Sequence, residues 1–569
     1  MSDLIKADLI IKNAKIIDVF NAEIFEENLA IKDGEILGFG PYYENAKEYF
    51  DAQGAYLCPS LIDGHVHIES SMLSAAELSK YLTSRGILTI IADPHEIANV
   101  CGLDGMTYIL DEAKDLPFNI YMMLASCVPA TSFETSGAKL LAKDLAKLID
   151  HENVLGLGEM MNYPGLVNQD KDILDKIALA KERNLTADGH CPGLTGRDLD
   201  IYIKSGIATD HECRSQEEMK EKLRKGMFIQ IREGSAAKDF DNLIGAVNKN
   251  NLNRCFFCTD DRHPEDLTNE GSVDNNVRKA IAYGLDPIDA IKMATINTAS
   301  AYKLDKLGAI APSYEASFFL FDDFKDLKCK SVFYKGELVY DKGKYFKKYE
   351  QKFTDKVKSP MRARKIEEKD LDIYLENDQV FVIGMNKNSL VTDKLIRKVK
   401  VLDGKFSYAD DGIKKIVVCD RYSQKTNIGL GLITGYPITN GAVASTIAHD
   451  SHNIVAIGDN DRDLILAINR LIDIEGGLVV SSKGEILGDL KLEIAGLMSR
   501  KSINELNKSY KVLYKLLKNL GLDDGIDPFM SLGFMALPVI PHLKMTDLGL
   551  FDNDIFSLIN ISCKNLTEK

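Results

Sequence analysis

The sequence predicts an α/β protein built on a (β/α)8 barrel of the TIM type, with strand-rich segments on both flanks of the barrel and a C-terminal α+β domain. Three observations point there. Eight short apolar runs alternate with stretches of helical periodicity over about 245 residues, the count of one such barrel. Most of those runs end in histidine, aspartate or glutamate. The chain of 569 residues, 45% hydrophobic and 27% charged, can bury cores for about two to four domains. A doubly wound open sheet is the competing architecture.

Taken in order, the runs are "YLCPSLIDGHVH", "ILTIIADPH", "NIYMMLASC", "NVLGLGE", "NLTADGH", "IATDH", "MFIQIRE" and "RCFFCTDD". Between them, segments such as "SAAELSKYLTSRG", "AKLLAKDLAKLID" and "DILDKIALAKERN" repeat apolar residues at i+3 and i+4, the helical spacing. In a barrel all strand ends meet at one mouth. That mouth would gather His65 and His67, Asp93 and His95, Glu159, His190, His211, Arg232 and Glu233, and Asp260 and Asp261. Loop tips that merely meet solvent favour Ser, Asn, Gly and Lys instead.

Composition limits the partners. A net charge of −15 argues against nucleic acid or an anionic membrane, both of which need clustered Lys and Arg, and favours a small molecule. The N-terminal residues lack an apolar signal core, and no stretch approaches 18 uninterrupted apolar residues, so neither export nor a membrane span is expected. Ten scattered cysteines fit reduced thiols in a cytoplasm.

Residue types at the mouth suggest a metal. Imidazole with carboxylate suits Zn, Fe, Mn or Co, whereas an all-oxygen set suits Mg or Ca. Residues two apart on a strand face the same way, so His65 and His67 can grip one ion. Four histidines and two carboxylates exceed the needs of one tetrahedral ion. They fit a pair about 3.5–4 Å apart with a bridging carboxylate, for which Glu159 is the natural choice. The zinc deaminase pattern of H-x-E followed by P-C-x-x-C is absent. The CxxC of Cys255 and Cys258 lies within the eighth strand, where residues three apart face opposite sides, and reads as core.

The stretches "PSLIDGHVHIESSM", "ADPHEIANVCG", "GLGEMMNYPG", "ADGHCPGLTG", "ATDHEC", "IREGS", "CTDDRHPEDL" and "AHDSHN" occur in order from residue 59 to residue 453. With them the chain resembles the amidohydrolase superfamily of metal-dependent hydrolases, and within it the bacterial adenine deaminase family. The resemblance implies that His65, His67 and Asp260 bind one divalent ion, that His190 and His211 bind the other, and that Glu159 spans both where many relatives use a carboxylated lysine. Spacing leaves open which of Asp260 and Asp261 is the ligand; superfamily practice favours Asp260. Two ions per subunit are implied, Mn or Fe ahead of Zn.

The implied reaction is hydrolytic deamination of adenine to hypoxanthine and ammonia by a hydroxide shared between the ions, with Asp260 shuttling the proton. Glu96, Arg232, Glu233 and Asp261 are candidates to contact the purine, with ion-paired rim residues the plainer reading of the first three. His95 and His263 are candidates to support ligands from behind or to help close the site. "STIAHDSHNIVAIG" places His449, Asp450 and His452 together, where they could close over the mouth, bind an additional ion or form a structural turn. A cytosine-like base or a cyclic amide is the alternative substrate class, and a noncatalytic scaffold the alternative role. A homo-oligomer is expected.

Outside the barrel (59–306), residues 1–58 and 307–344 would form one small β-sandwich from both flanks, as the superfamily implies. Lys32-Asp33-Gly34 is a turn signal within the first part. Residues 345–369, rich in charge, read as a linker or solvated excursion, and residues 370–569 as the α+β domain. There "INELNKSYKVLYKLLKNLG" predicts an amphipathic helix with Ile503, Leu506, Leu513, Leu517 and Leu520 on related turns.

Overall fold

The computed structural model describes residues 6–387, 389–409 and 411–563. Eight parallel strands form the central ring: β1 Leu61–His67, β2 Ile87–Ala92, β3 Asn119–Leu124, β4 Val154–Met160, β5 Thr186–Gly189, β6 Thr209–Asp210, β7 Phe228–Arg232 and β8 Cys255–Cys258. Strands β1 to β5 pair in sequence, as do β6 to β8. Two junctions close the ring. The Ala208 amide donates to Ala187 O (2.9 Å) where β6 begins. Beyond β8, Asp260 and Asp261 pair with Val66 and His67 of β1. Every residue of β1, β2 and β8 is buried, as expected of strands covered on both faces.

Local sequence explains the outer helices. Ser74 caps helix Ala75–Thr83 by accepting from the Glu77 amide, and Leu78 and Leu82 on one face are buried. The chain then turns through Gly86 at φ 78°, where a Cβ would strike Phe319 of the neighbouring sheet. Only glycine fits this close approach. Cys255 and Cys258 are fully buried core residues.

The two flanks of the barrel join in one nine-stranded sheet. Strand Tyr56–Pro59 makes the junction, lying parallel to Ala7–Asp18 on one side and antiparallel to Phe318–Phe321 on the other. It runs directly into β1, so the sheet feeds the barrel. The expected turn is a two-residue hairpin: Asp33 (φ 52°) and Gly34 (φ 80°) connect strands Glu23–Lys32 and Glu35–Phe39.

The C-terminal domain carries an eight-stranded sheet, a three-stranded sheet and helices Asp461–Asp473, Ile503–Asn519 and Pro528–Phe534. Helix Ile503–Asn519 buries Ile503, Leu506, Leu513 and Leu517, while Leu520 caps its end. Segment 345–369 differs from the solvated excursion its charge suggests. Val357 and Ile366 are buried, the Tyr349 hydroxyl donates to Thr83 (2.9 Å), and Ala495 N donates to Val357 O (2.7 Å). Its lysines reach outward from a backbone pinned by a few apolar anchors. Among the described residues no helix is long and apolar enough to cross a membrane.

Candidate active site

His65 and His67 leave β1 on the same side, with their Nε2 atoms 3.2 Å apart. His67 Nδ1 lies 2.8 Å from the Asp93 carbonyl, which can only accept, so that nitrogen carries the proton and Nε2 keeps its lone pair in the neutral ring. Asp260 Oδ1 lies 3.0 Å from His67 Nε2 and 3.4 Å from His65 Nε2. Asp260 adopts φ 59°, a left-handed conformation that Asp tolerates better than most residues. The break in strand alternation lets Asp260 and Asp261 both serve the mouth.

A second group meets the first through Glu159 at the end of β4. Its Oε2 is 2.5 Å from His190 Nδ1 and 3.1 Å from His211 Nε2. Its Oε1 is 3.5 Å from His67 Nε2 and 3.4 Å from His95 Nδ1. The Glu159 backbone is fixed from behind, its amide donating to Asp93 Oδ2 (2.8 Å). The His65 and His211 rings stack at 4.3 Å, which ties the two groups together.

These donors fit divalent cations. His65 Nδ1 and His211 Nδ1 are buried without a hydrogen-bond partner among the described residues, and the His65–His67–Asp260 and His65–Glu159–His211 donor atoms each lie within 4.8 Å of one another. Buried polar atoms left in this state cost free energy unless something binds them. Electrostatics point the same way. Burial opposes ionisation of Glu159, but His190 and His211 hold its carboxyl well below the usual range. Burial likewise opposes charge on His190, yet Glu159 and Glu212 outweigh it and push its pKa up to about 9.

A metal at His190 would compete with a proton for the same imidazole. With the His190 pKa raised to about 9, the ring is protonated at neutral pH in the metal-free protein, and a metal bound there would have to displace that proton. Affinity is accordingly expected to rise with pH until it levels near 9, with proton release on binding. Calorimetric Mn titrations at several pH values, in buffers of differing ionisation enthalpy, check this. Affinity independent of pH between 6.5 and 9 would contradict it.

The residues expected at the purine edge divide. Arg232 is buried and held by three carboxylates: Nη1 binds Asp260 Oδ2 (2.9 Å) and Glu212, while Nε (3.0 Å) and Nη2 (2.7 Å) bind Asp239. These bonds orient Asp260. Glu233, next along the chain, faces the other way and pairs with Lys279 of the outer helix at 2.8 Å. Asp261 stays at the mouth, its Oδ1 accepting from the Ser70 hydroxyl.

Glu96 is buried and held by the C-terminal domain, 2.6 Å from His449 Nδ1 and bonded to His452 Nε2. The backbone amide of Ala448 donates to His452 Nδ1 (3.2 Å), so the proton of that ring sits on Nε2 and points at Glu96. Burial, against the pull of Glu96, brings the His452 pKa down to about 3 and keeps the ring neutral. Glu96, His449 and His452 also bring donor atoms within 4.8 Å of one another, a group that could hold an ion. Of the readings open for this segment, the geometry fits closure over the mouth and an additional ion, and both stay open. His95 lies between, with Nε2 3.5 Å from Glu96 and 3.8 Å from Asp450. His263 Nδ1 is 3.0 Å from Asp527.

Sequence reading gave no role to Glu212, Asp239, Ser70, Met530 or Phe534. Glu212 follows His211 directly and was visible as another carboxylate at a strand end. Phe534 stacks on His449 at 4.4 Å, but its helix, "PFMSLGF", reads as ordinary core.

A closed parallel barrel with imidazole and carboxylate donors at its strand ends defines the class of metal-dependent hydrolases. Residues 56–339 match the model of the amidohydrolase family, and residues 389–557 that of the adenine deaminase C-terminal domain. Adenine deaminase from Clostridium acetobutylicum is 46% identical over 96% of this chain and 96% of its own length. Adenine deaminase 2 from Carboxydothermus hydrogenoformans is 45% identical over 98% and 97%, and the Geobacillus kaustophilus adenine deaminase 46% over 98% and 97%. A solved structure described as an adenine deaminase aligns with 59% of this chain and 100% of its own, with a TM-score of 0.46 and 17% identity. The chain belongs to the adenine deaminase family of amidohydrolases.

Proposed function

We propose that this protein hydrolyses adenine to hypoxanthine and ammonia, using two divalent ions, manganese or iron ahead of zinc. In this reading His65, His67 and Asp260 hold one ion, His190 and His211 the other, and Glu159 both. The carrying observation is that these six side chains, from five separate strand ends, direct donor atoms at one another inside a buried mouth. When bound, divalent ions supply Lewis acidity that brings the pKa of water down to about 7.

The chain's own groups do the rest. Burial would raise the Asp260 carboxyl, but His65, His67 and Arg232 hold it well below the usual range, so it begins as a base. Water adds at C6 of the purine as the C6–N1 π bond opens onto N1, and that electron pair returns to C6 when the amine leaves, giving the hydroxyl tautomer of hypoxanthine. Asp260 takes its proton and passes it to the exocyclic amine, the C6–N bond breaks and ammonia departs. Arg232 keeps Asp260 oriented through both halves of that transfer, and the C-terminal domain covers the mouth through Glu96.

We attach to this reading a place in purine salvage and adenine catabolism, in the cytoplasm, as a homo-oligomer. Ammonia release over adenine, adenosine, cytosine and hydantoin, with Fe, Mn and Zn loaded separately, tests it. Adenine is the expected substrate. A preference for cytosine or hydantoin would favour the alternative substrate class, and a preference for adenosine would overturn the free-base assignment.

A further inference from the structure

We propose that Lys222 is a positioning residue for the second ion: with Asp210 and Glu218 it forms a buried clamp on the chain just beyond His190 and just beyond His211, and so sets how the two imidazoles face each other. The inference rests on the paired-ion reading above and names what shapes one half of that site. Lys222 follows Glu218 at i+4 on helix Gln216–Arg224, a spacing that in sequence describes an ordinary solvated ion pair. The structure buries the Lys222 side chain completely.

The clamp is one cation shared by two carboxylates. Lys222 Nζ donates to Cys191 O (2.7 Å), Asp210 Oδ2 (2.9 Å) and Glu218 Oε1 (2.6 Å), which uses all three ammonium hydrogens. Asp210 accepts from the amides of Cys191 (2.9 Å) and Glu212 (3.2 Å), and Glu218 accepts from those of Gly193 (2.8 Å) and Arg214 (3.1 Å). Each carboxylate thus holds one amide after His190 and one after His211. Lys222 ties the two carboxylates together.

His211 depends on this backbone. Its Nδ1 has no hydrogen-bond partner among the described residues, whereas the ring of His67 is held at Nδ1 by the Asp93 carbonyl. A ring without such a partner meets a metal only as well as its backbone aims it. His190 is held from its other side, where its amide donates to the Tyr202 hydroxyl (3.0 Å) and that hydroxyl donates to Met160 O (2.9 Å), next to Glu159. The His190 and His211 rings end with their centroids 5.3 Å apart. Lys222 bonds nothing in the group of His65, His67 and Asp260, so its loss should fall on the second ion first.

The test is a calorimetric titration of Mn into chelator-stripped wild type, Lys222→Met and the double variant Lys222→Met/Asp210→Asn, with elemental analysis and thermal melts alongside. The double variant removes a buried ion pair charge for charge, so no carboxylate is stranded if the single variant fails to fold. Groups that orient metal ligands from behind are typically worth about 10–100-fold in affinity. Both variants are expected to bind the second Mn weaker by about that factor, to keep the first within about threefold of wild type, and to recover adenine turnover when Mn is in excess. A lysine with a merely structural role would lower the melting temperature and leave both affinities alone. That result, or equal weakening of both ions, would overturn the positioning role. If the wild type binds at most one ion per chain, the paired-ion reading itself fails and the inference falls with it.

Discussion

Replacing Glu159 by alanine is expected to lower kcat by about 10³-fold or more and to cut bound metal from about two ions per chain to one or fewer. The size of the effect follows from its position. One oxygen faces His67 and His95, the other His190 and His211, so four imidazoles share this single carboxylate. Alanine removes the carboxylate that bridges the two donor groups and the counter-charge for both. Glu159→Gln keeps the shape but not the charge, and is expected to lose nearly as much. Activity assays paired with elemental analysis check this; a variant that keeps both ions and more than a tenth of wild-type turnover would contradict the role.

Asp260→Asn is expected to lower kcat by about 10²–10⁴-fold, the range for losing a general acid–base group. The amide can neither take the proton from water nor hand it to the amine. Arg232, which now bonds Asp260 Oδ2, would keep Glu212 and Asp239 as partners, so the neighbouring structure should hold. Because Glu159, His190 and His211 are untouched, at least about one ion per chain should remain. The pH profile of kcat/KM gives an independent reading. Asp260 is held ionised well below the usual carboxylate range, so with metal kept saturating the wild type should show an acidic limb where acid protonates it. The residual activity of the variant should lack that acidic limb. A decrease under tenfold, or an unchanged acidic limb, would assign the proton transfer to another group.

The barrel and the gathering of histidines and carboxylates at its mouth were legible because each strand is a short apolar run stopped by a polar residue, and strand geometry turns that pattern into a ring of donor atoms. His65 and His67 could be read as a pair from the two-residue repeat alone. The same repeat separates Arg232 from Glu233, and their local sequence could not say that carboxylates already occupy the first and Lys279 the second. Met530 and Phe534 were illegible for a different reason. They lie far along the chain from Ser70 and Asp261, they are apolar, and only tertiary packing sets them over the mouth. Segment 345–369 misled through its charge, since a few buried apolar side chains anchor a backbone whose lysines all reach solvent.

The most direct test of the central claim is a titration of chelator-stripped protein with Mn or Fe while adenine turnover is followed. Activity should be lost on stripping and return to a plateau at about two equivalents per chain. Full turnover by the stripped protein, or a plateau at one equivalent, would contradict a mechanism built on the paired site.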